Sequence, residues 1–200
     1  ASDVYKRQLL AGELVYRAVG AQGLARLAAH RSDTVRGWIC YALAHEHALH
    51  SPAEPLENLL EAVRPFADDA HFGVREWVWM AVRPHLAKQP EHALRHLAGW
   101  TADPSERVRR FASESTRPRG VWCAHLNILK ENPALGLPVL EPLQADPSTY
   151  VQDSVGNWLN DAAKSQPQWV IALCDAWLAQ NPGKATARIC KRALRSLHKK

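Results

Sequence analysis

The sequence predicts an all-α chain of stacked two-helix repeats, and three observations predict it. An acidic residue, a short linker and a valine followed by a polar residue recur: Asp33-Thr34-Val35-Arg36, Asp69 leading to Val74-Arg75, Asp103-Pro104-Ser105-Glu106-Arg107-Val108-Arg109, and Asp146-Pro147-Ser148 leading to Val151-Gln152. The valines stand 39, 34 and 43 residues apart, a period that suits HEAT-like helical repeats. Pro55, Pro90, Pro133, Pro167 and Pro182 punctuate the chain where helices should begin or end, because proline lacks the amide hydrogen a helix interior uses. Strand-length stretches of alternating apolar and polar residues are essentially missing. The expectation is one HEAT-like repeat domain over residues 1–200, an α–α superhelix with a concave polar groove.

The elements follow in order. Asp103-Pro104 and Asp146-Pro147 are expected to set an N-cap before a helix-starting proline. A fifth unit is expected near Ala187-Arg188, after the turn Asn181-Pro182-Gly183. With each valine counted as zero, positions +3, +4 and +7 form one helical stripe. They hold Trp38, Ile39 and Ala42, then Trp77, Val78 and Ala81, then Phe111, Ala112 and Ser115, then Ser154, Val155 and Trp158. That stripe is mostly apolar or small, so it is the expected buried seam. Positions +2, +6 and +10 make a neighbouring face of Gly37, Tyr41 and His45, then Glu76, Met80 and Pro84, then Arg110, Glu114 and Pro118, then Asp153, Asn157 and Asp161. In a solenoid the second helix of each repeat lines the concave surface, so the acids of this face are expected to converge on one groove.

Composition narrows the classes. With 46% hydrophobic and 22% charged residues and eight tryptophans, the chain buries a core and is not disordered. No run of eighteen apolar residues exists, so no membrane span or membrane partner is expected. Cys40, Cys123, Cys174 and Cys190 are scattered without a C-x-x-C; reduced thiols and a cytoplasmic protein are the default. Ala1 to Gln8 shows neither a methionine start nor the apolar stretch of a secretory signal. It reads as a remnant or truncated start and carries no functional weight.

The net charge of +5 is unevenly placed. Residues 1–100 balance eleven basic against eleven acidic residues, whereas 183–200 hold seven basic and no acidic ones. Lys184, Arg188 and Lys191 of that tail are candidate phosphate contacts; a solvated helix face is the plainer alternative. The cluster His45-Glu46-His47-Ala48-Leu49-His50 lacks the H-E-x-x-H spacing of a zinc helix. It reads as surface histidines, and no metal is expected.

A family resemblance rests on three stretches. Phe111-Ala112-Ser113-Glu114-Ser115-Thr116-Arg117-Pro118-Arg119-Gly120-Val121-Trp122 resembles the signature Ser-Glu-Gly-x-Arg-Pro-Arg-Leu-Pro-Trp of AlkC-type DNA alkylation repair proteins, matching at Ser113, Glu114, Arg117, Pro118, Arg119 and Trp122. Phe72-Gly73-Val74-Arg75-Glu76-Trp77 and Tyr150 through Asp161 are similar to two further family stretches, in the family's order. The resemblance covers about Asp69 to Lys200. Ser115 stands where the family has glycine and Gly120-Val121 where it has Leu-Pro; the immunoglobulin-like domain of some members is missing.

The AlkC/AlkD-type resemblance implies a DNA glycosylase of base excision repair that releases cationic bases of the 3-methyladenine type. It would work without cofactor or metal and without a deep base-flipping pocket, as a monomer on alkylated double-stranded DNA in the cytoplasm. A cationic base leaves an oxocarbenium-like sugar, and a carboxylate beside it stabilises that charge and activates water. By resemblance Glu76 and Glu114 are the catalytic candidates, with Asp161 third. Trp122 would stack on the lesion, and Arg117, Arg119 and Arg110 would hold phosphate or orient an acid. Plainer roles stand beside these: Glu76 pairing with Arg110 or Arg75, Glu114 bracing Arg117, Trp77 and Trp122 as core, Asp153 as a solvated charge, and Asp161 holding helix and turn together. The catalytic reading requires Glu76 and Glu114 to meet while open to solvent; burial of either against an arginine would leave only the solenoid. The alternatives are a catalytically inactive DNA-binding relative or a protein-interaction scaffold.

Overall fold

Each valine-centred segment becomes the second helix of a pair. The computed structural model describes residues 2–51, 53–120 and 122–197. Ala1 of the amino-terminal remnant, Val121 of the departure from the family signature, and Lys199 and Lys200 of the basic tail lie outside the described residues. The chain gathers into two compact units, Ala1–Gln89 and Pro90–Lys200. The first holds α1 (Ser2–Leu27, bent at Gly20), α2 (Asp33–His50), α3 (Leu56–Ala67) and α4 (Phe72–Lys88). The second holds α5 (Pro90–Ala98), α6 (Glu106–Glu114), α7 (Asn127–Glu131), α8 (Leu137–Leu140), α9 (Thr149–Ala163), α10 (Pro167–Gln180) and α11 (Lys184–Ala193). Short 3₁₀ turns join the elements on either side of α8 and follow α5. Among the described residues every regular element is helical, and no helix is long and apolar enough to cross a membrane. The expected fifth unit is the pair α10–α11.

Most seam positions are buried as their spacing predicts, while Trp38 and Trp77 are only half-buried. In the first unit Ile39, Ala42, Val78 and Ala81 are at most 1% exposed where α2 packs on α4. Trp77 lies across Gly37: a Cβ there would stand 2.0 Å from Trp77 Cε3, so only glycine lets the two helices approach. In the second unit Phe111, Ala112, Val155 and Trp158 are buried where α6 packs on α9, and Ile189 and Ala193 continue the core onto α11. Trp158 is fully buried and donates its ring N–H to Thr116 Oγ1 at 3.3 Å.

Two local expectations are corrected. Asp103 and Asp146 are not the N-caps: Ser105 and Ser148 accept the amides of Arg107 and Tyr150, each at 3.2 Å. Each aspartate instead accepts the amide of the serine two residues on, at 2.8 and 2.9 Å. Its short carboxylate folds back into an Asx turn around the proline, so the helix starts one residue after the serine. The second correction concerns His47, which is buried rather than on the surface. Its ring meets His85 at 5.0 Å, edge to face, with Glu54 3.7 Å from its Nδ1. Burial pushes the His85 pKa down to about 4, helped by His47 and Lys88. His45 packs on Tyr16, and His50 is exposed.

The repeated acidic and basic residues form staples. Arg36 grips both carboxylate oxygens of Asp69 at 2.6 and 3.0 Å and donates to the carbonyls of His30 and Arg31. Arg109 grips Asp146 at 2.7 and 3.2 Å and donates to the carbonyls of Asp103 and Pro104. Arg36 and Arg109 thus each close their own turn and clamp the acid of the following repeat. These hydrogen bonds raise both guanidinium pKa values, against some desolvation.

Candidate functional site

The signature stretch leaves α6 at Glu114, because Pro118 cannot continue a helix. Glu114 sits at the last turn, 4% exposed. Its Oε1 accepts Arg117 Nη1 at 2.9 Å, and its Oε2 accepts the Ser154 hydroxyl at 2.7 Å. Ser113 donates in turn to Ser154 Oγ at 2.8 Å. Arg110 Nη2 stands 3.8 Å from Glu114 while its guanidinium lies over the Tyr150 ring, 4.5 Å from the centroid.

A second acid shares the same arginine. Arg117 Nε donates to Asp161 Oδ2 at 2.9 Å, and Lys164 Nζ is 3.8 Å from the other oxygen. Asp161 is buried in the last turn of α9. Burial opposes the Arg117 charge, but Glu114 and Asp161 more than offset it and raise its pKa. The guanidinium is therefore permanently charged, suspended between two helices. Arg119 also turns inward, donating to the Asp161 carbonyl at 3.2 Å and to Ser165 Oγ at 2.6 Å.

Trp122 does the opposite. It is 64% exposed, the one exposed tryptophan of the eight. Its φ of 68° puts a bulky side chain in the left-handed region, where Cβ crowds the backbone and non-glycine residues persist only under constraint. The core alternative for Trp122 is thereby removed, whereas Trp77 is half-buried against Gly37 and Tyr41.

The remaining candidates divide. Glu76 stands on α4 of the first unit, half-buried, and accepts the Trp79 ring N–H at 3.0 Å. Glu114, Asp161, Arg117, Arg119 and Arg110 gather in the second unit, but as an enclosed ion-pair network rather than an open row of acids. Lys184 and Lys191 are exposed on α11. Arg188 is paired with Asp153 at 2.7 Å, joined by Arg192 at 3.2 Å. Asp153 is therefore not the solvated charge expected; two arginines on the neighbouring helix reach it. Sequence reasoning missed Ser154 and Ser165. Ser154 had a signal, since it fills a seam position where the other repeats hold Trp38, Trp77 and Phe111, and a polar residue in a seam needs a partner. Ser165 had none.

Comparisons with known proteins agree with this architecture. A family model described as DNA alkylation repair enzyme matches residues 42–197. The uncharacterized protein YhaZ of Bacillus subtilis (strain 168) is 42% identical over 120 residues, 60% of this chain and 33% of that protein. The alkylpurine DNA glycosylase AlkC of Pseudomonas fluorescens, in a structure bound to DNA containing an abasic site analog, is 26% identical with a TM-score of 0.67, covering 98% of this chain and 63% of that one. AlkD2 of Streptococcus mutans is 24% identical with a TM-score of 0.72, covering 96% of this chain and 89% of that one, a likeness of fold alone. The chain thus spans a third of YhaZ and under two thirds of AlkC.

Proposed function

The chain belongs to the family of DNA alkylation repair enzymes, and on that premise we propose that it hydrolyses the N-glycosidic bond of cationic bases of the 3-methyladenine type in duplex DNA. The observation that carries the reading is Trp122, an exposed indole held at φ 68° at the end of the Arg117-Pro118-Arg119 segment. A large aromatic surface left in water at the cost of backbone strain suits a ligand with a π face. A positively charged base adds cation–π attraction that an undamaged base lacks.

Departure of such a base needs little proton transfer, since the base is already cationic. What remains is to stabilise the oxocarbenium-like sugar and to deliver water to C1′. A general base has to reach water. Glu114 and Asp161 are enclosed against Arg117, so the condition set for paired catalytic acids is not met, and the enzymatic reading rests instead on the family match and on Trp122. Their assigned part is to keep Arg117 charged and fixed. Glu76, half-buried on α4 and accepting the Trp79 ring N–H, is the candidate that the family resemblance leaves for the water-activating part. Lys184 and Lys191, with the part-exposed Arg188, supply phosphate contacts whose worth falls with salt. The protein is proposed to act as a cytoplasmic monomer.

The enclosure of Glu114 also favours a second reading, a DNA-binding relative without catalysis. Incubating the purified protein with methylated duplex DNA and measuring free base separates the two. The proposal expects free 3-methyladenine to accumulate. Salt-dependent duplex binding with every methylated base retained supports the second reading. Neither binding nor release leaves a helical interaction scaffold.

A further inference from the structure

We infer that Arg119 and Ser165 are positioning residues for Trp122, a part distinct from the phosphate contact that the signature suggests for Arg119. The inference deepens the proposed base-release activity and rests on it for its enzymatic arm alone. Arg117 and Arg119 flank Pro118, and both reach the carboxy-terminal end of α9. Arg117 takes the Asp161 side chain; Arg119 takes the Asp161 main-chain carbonyl at 3.2 Å. The last carbonyls of a helix lack partners within it, and a cation there also meets the negative end of the helix dipole. Arg119 then extends its Nη2 to Ser165 Oγ at 2.6 Å, just beyond α9. Behind the tryptophan, the Leu126 amide donates to the Pro118 carbonyl at 3.0 Å, and Leu126 is buried.

The segment that carries Trp122 is therefore anchored on both sides, by two arginines on one helix end and by a backbone bond that closes the turn. Between the anchors stands a bulky residue in the left-handed region with its ring in solvent. Such a conformation needs external restraint, because an untethered tryptophan relaxes to an extended or helical φ. The Arg119 guanidinium supplies one such restraint, three residues before the tryptophan. Two of its five donors are committed to the end of α9 and the serine just beyond it, and the fork geometry that satisfies a carbonyl and a hydroxyl together is one that lysine does not reproduce.

The test labels the protein with 5-fluorotryptophan and follows the fluorine resonance of Trp122, identified by its loss in Trp122→Phe. Ser165→Ala and Arg119→Lys are expected to shift or broaden that resonance and leave the other tryptophan resonances in place. Ser165→Thr, which keeps the hydroxyl, restores it. On methylated duplex DNA, kcat/KM for base release is expected to fall about tenfold in Ser165→Ala, the scale of one charge-assisted hydrogen bond, with recovery in Ser165→Thr. An unmoved Trp122 resonance in both Ser165→Ala and Arg119→Lys overturns the inference. If the wild-type protein releases no base, the activity fails while the resonance still decides the positioning role.

Discussion

The helix pair α2–α4 of the first unit and the pair α6–α9 of the second begin alike and end differently. At the starts of the helices both carry the same staple, Arg36 on Asp69 and Arg109 on Asp146, with the same two turn carbonyls beneath each arginine. At the far ends the first unit holds the buried contact of His47 with His85, whose pKa burial lowers to about 4. The second holds Glu114, Arg117 and Asp161 in a charged network beside an exposed tryptophan. What recurs is what stacking needs. What does not recur is left for some other purpose, and a buried triad of charges is poor at stabilising a fold compared with apolar packing. The unrepeated end of α6–α9 is therefore where function is sought.

The comparison breaks most visibly at Arg117. Arg117→Ala leaves two buried carboxylates without their cation and should cost about 3–5 kcal/mol of stability, read by chemical denaturation. A cost under about 1 kcal/mol would mean that water already reaches the triad. Glu114→Gln belongs to the same class: it halves the charge facing Arg117, so loss of activity in that variant has to be separated from loss of fold. The staples should be interchangeable in worth. Asp69→Ala and Asp146→Ala are each expected to cost about 2–3 kcal/mol, the scale of stranding a charged donor. Markedly unequal values would show that the two ends called alike are not.

The histidine end sharpens the contrast through pH. The folded pKa of His85 lies near 4, below its ordinary 6.5, so the unfolded chain takes up a proton that the folded one refuses. Its contribution is complete above pH 6.5 and is lost as pH falls toward 4, by up to about 3 kcal/mol. His85→Phe should flatten that part of the stability-against-pH curve; an unchanged slope would assign it to other groups. The smallest stability effect is expected at Glu76, where glutamine can still accept the Trp79 N–H. Glu76→Gln should stay within about 0.5 kcal/mol of the wild type, while base release falls by about a hundredfold or more. Undiminished release would take the water-activating part away from Glu76.

The fold was legible because the seam repeats at helical spacing, so Val35, Val74, Val108 and Val151 align their apolar neighbours without any knowledge of contacts. The staples were half visible: an acid stood in every repeat and an arginine in the first three, but Arg36 pairs with an acid 33 residues later and Arg109 with one 37 later, separations that no local rule links. The Asp-Pro-Ser turns misled by two residues, since aspartate and serine are both good caps and only the folded turn decides between them. At the site, Arg117 bracing Glu114 at i+3 was readable from spacing alone. That Asp161 gathers with Glu114 was implied by the shared polar face as well as by family resemblance, but its enclosure could not be read at all, because polar residues on one helical face say nothing of the side chains closing over them.

The unrepeated end of α6–α9 is proposed to handle the damaged nucleotide through Trp122. The most direct measurement is the rate of free 3-methyladenine release from methylated duplex DNA by Trp122→Ala beside the wild type. The exposed ring contributes little to folding, so denaturation should be unchanged within about 0.5 kcal/mol, while release should fall about tenfold or more with the loss of stacking. Wild-type release from the truncated side chain would contradict the claim.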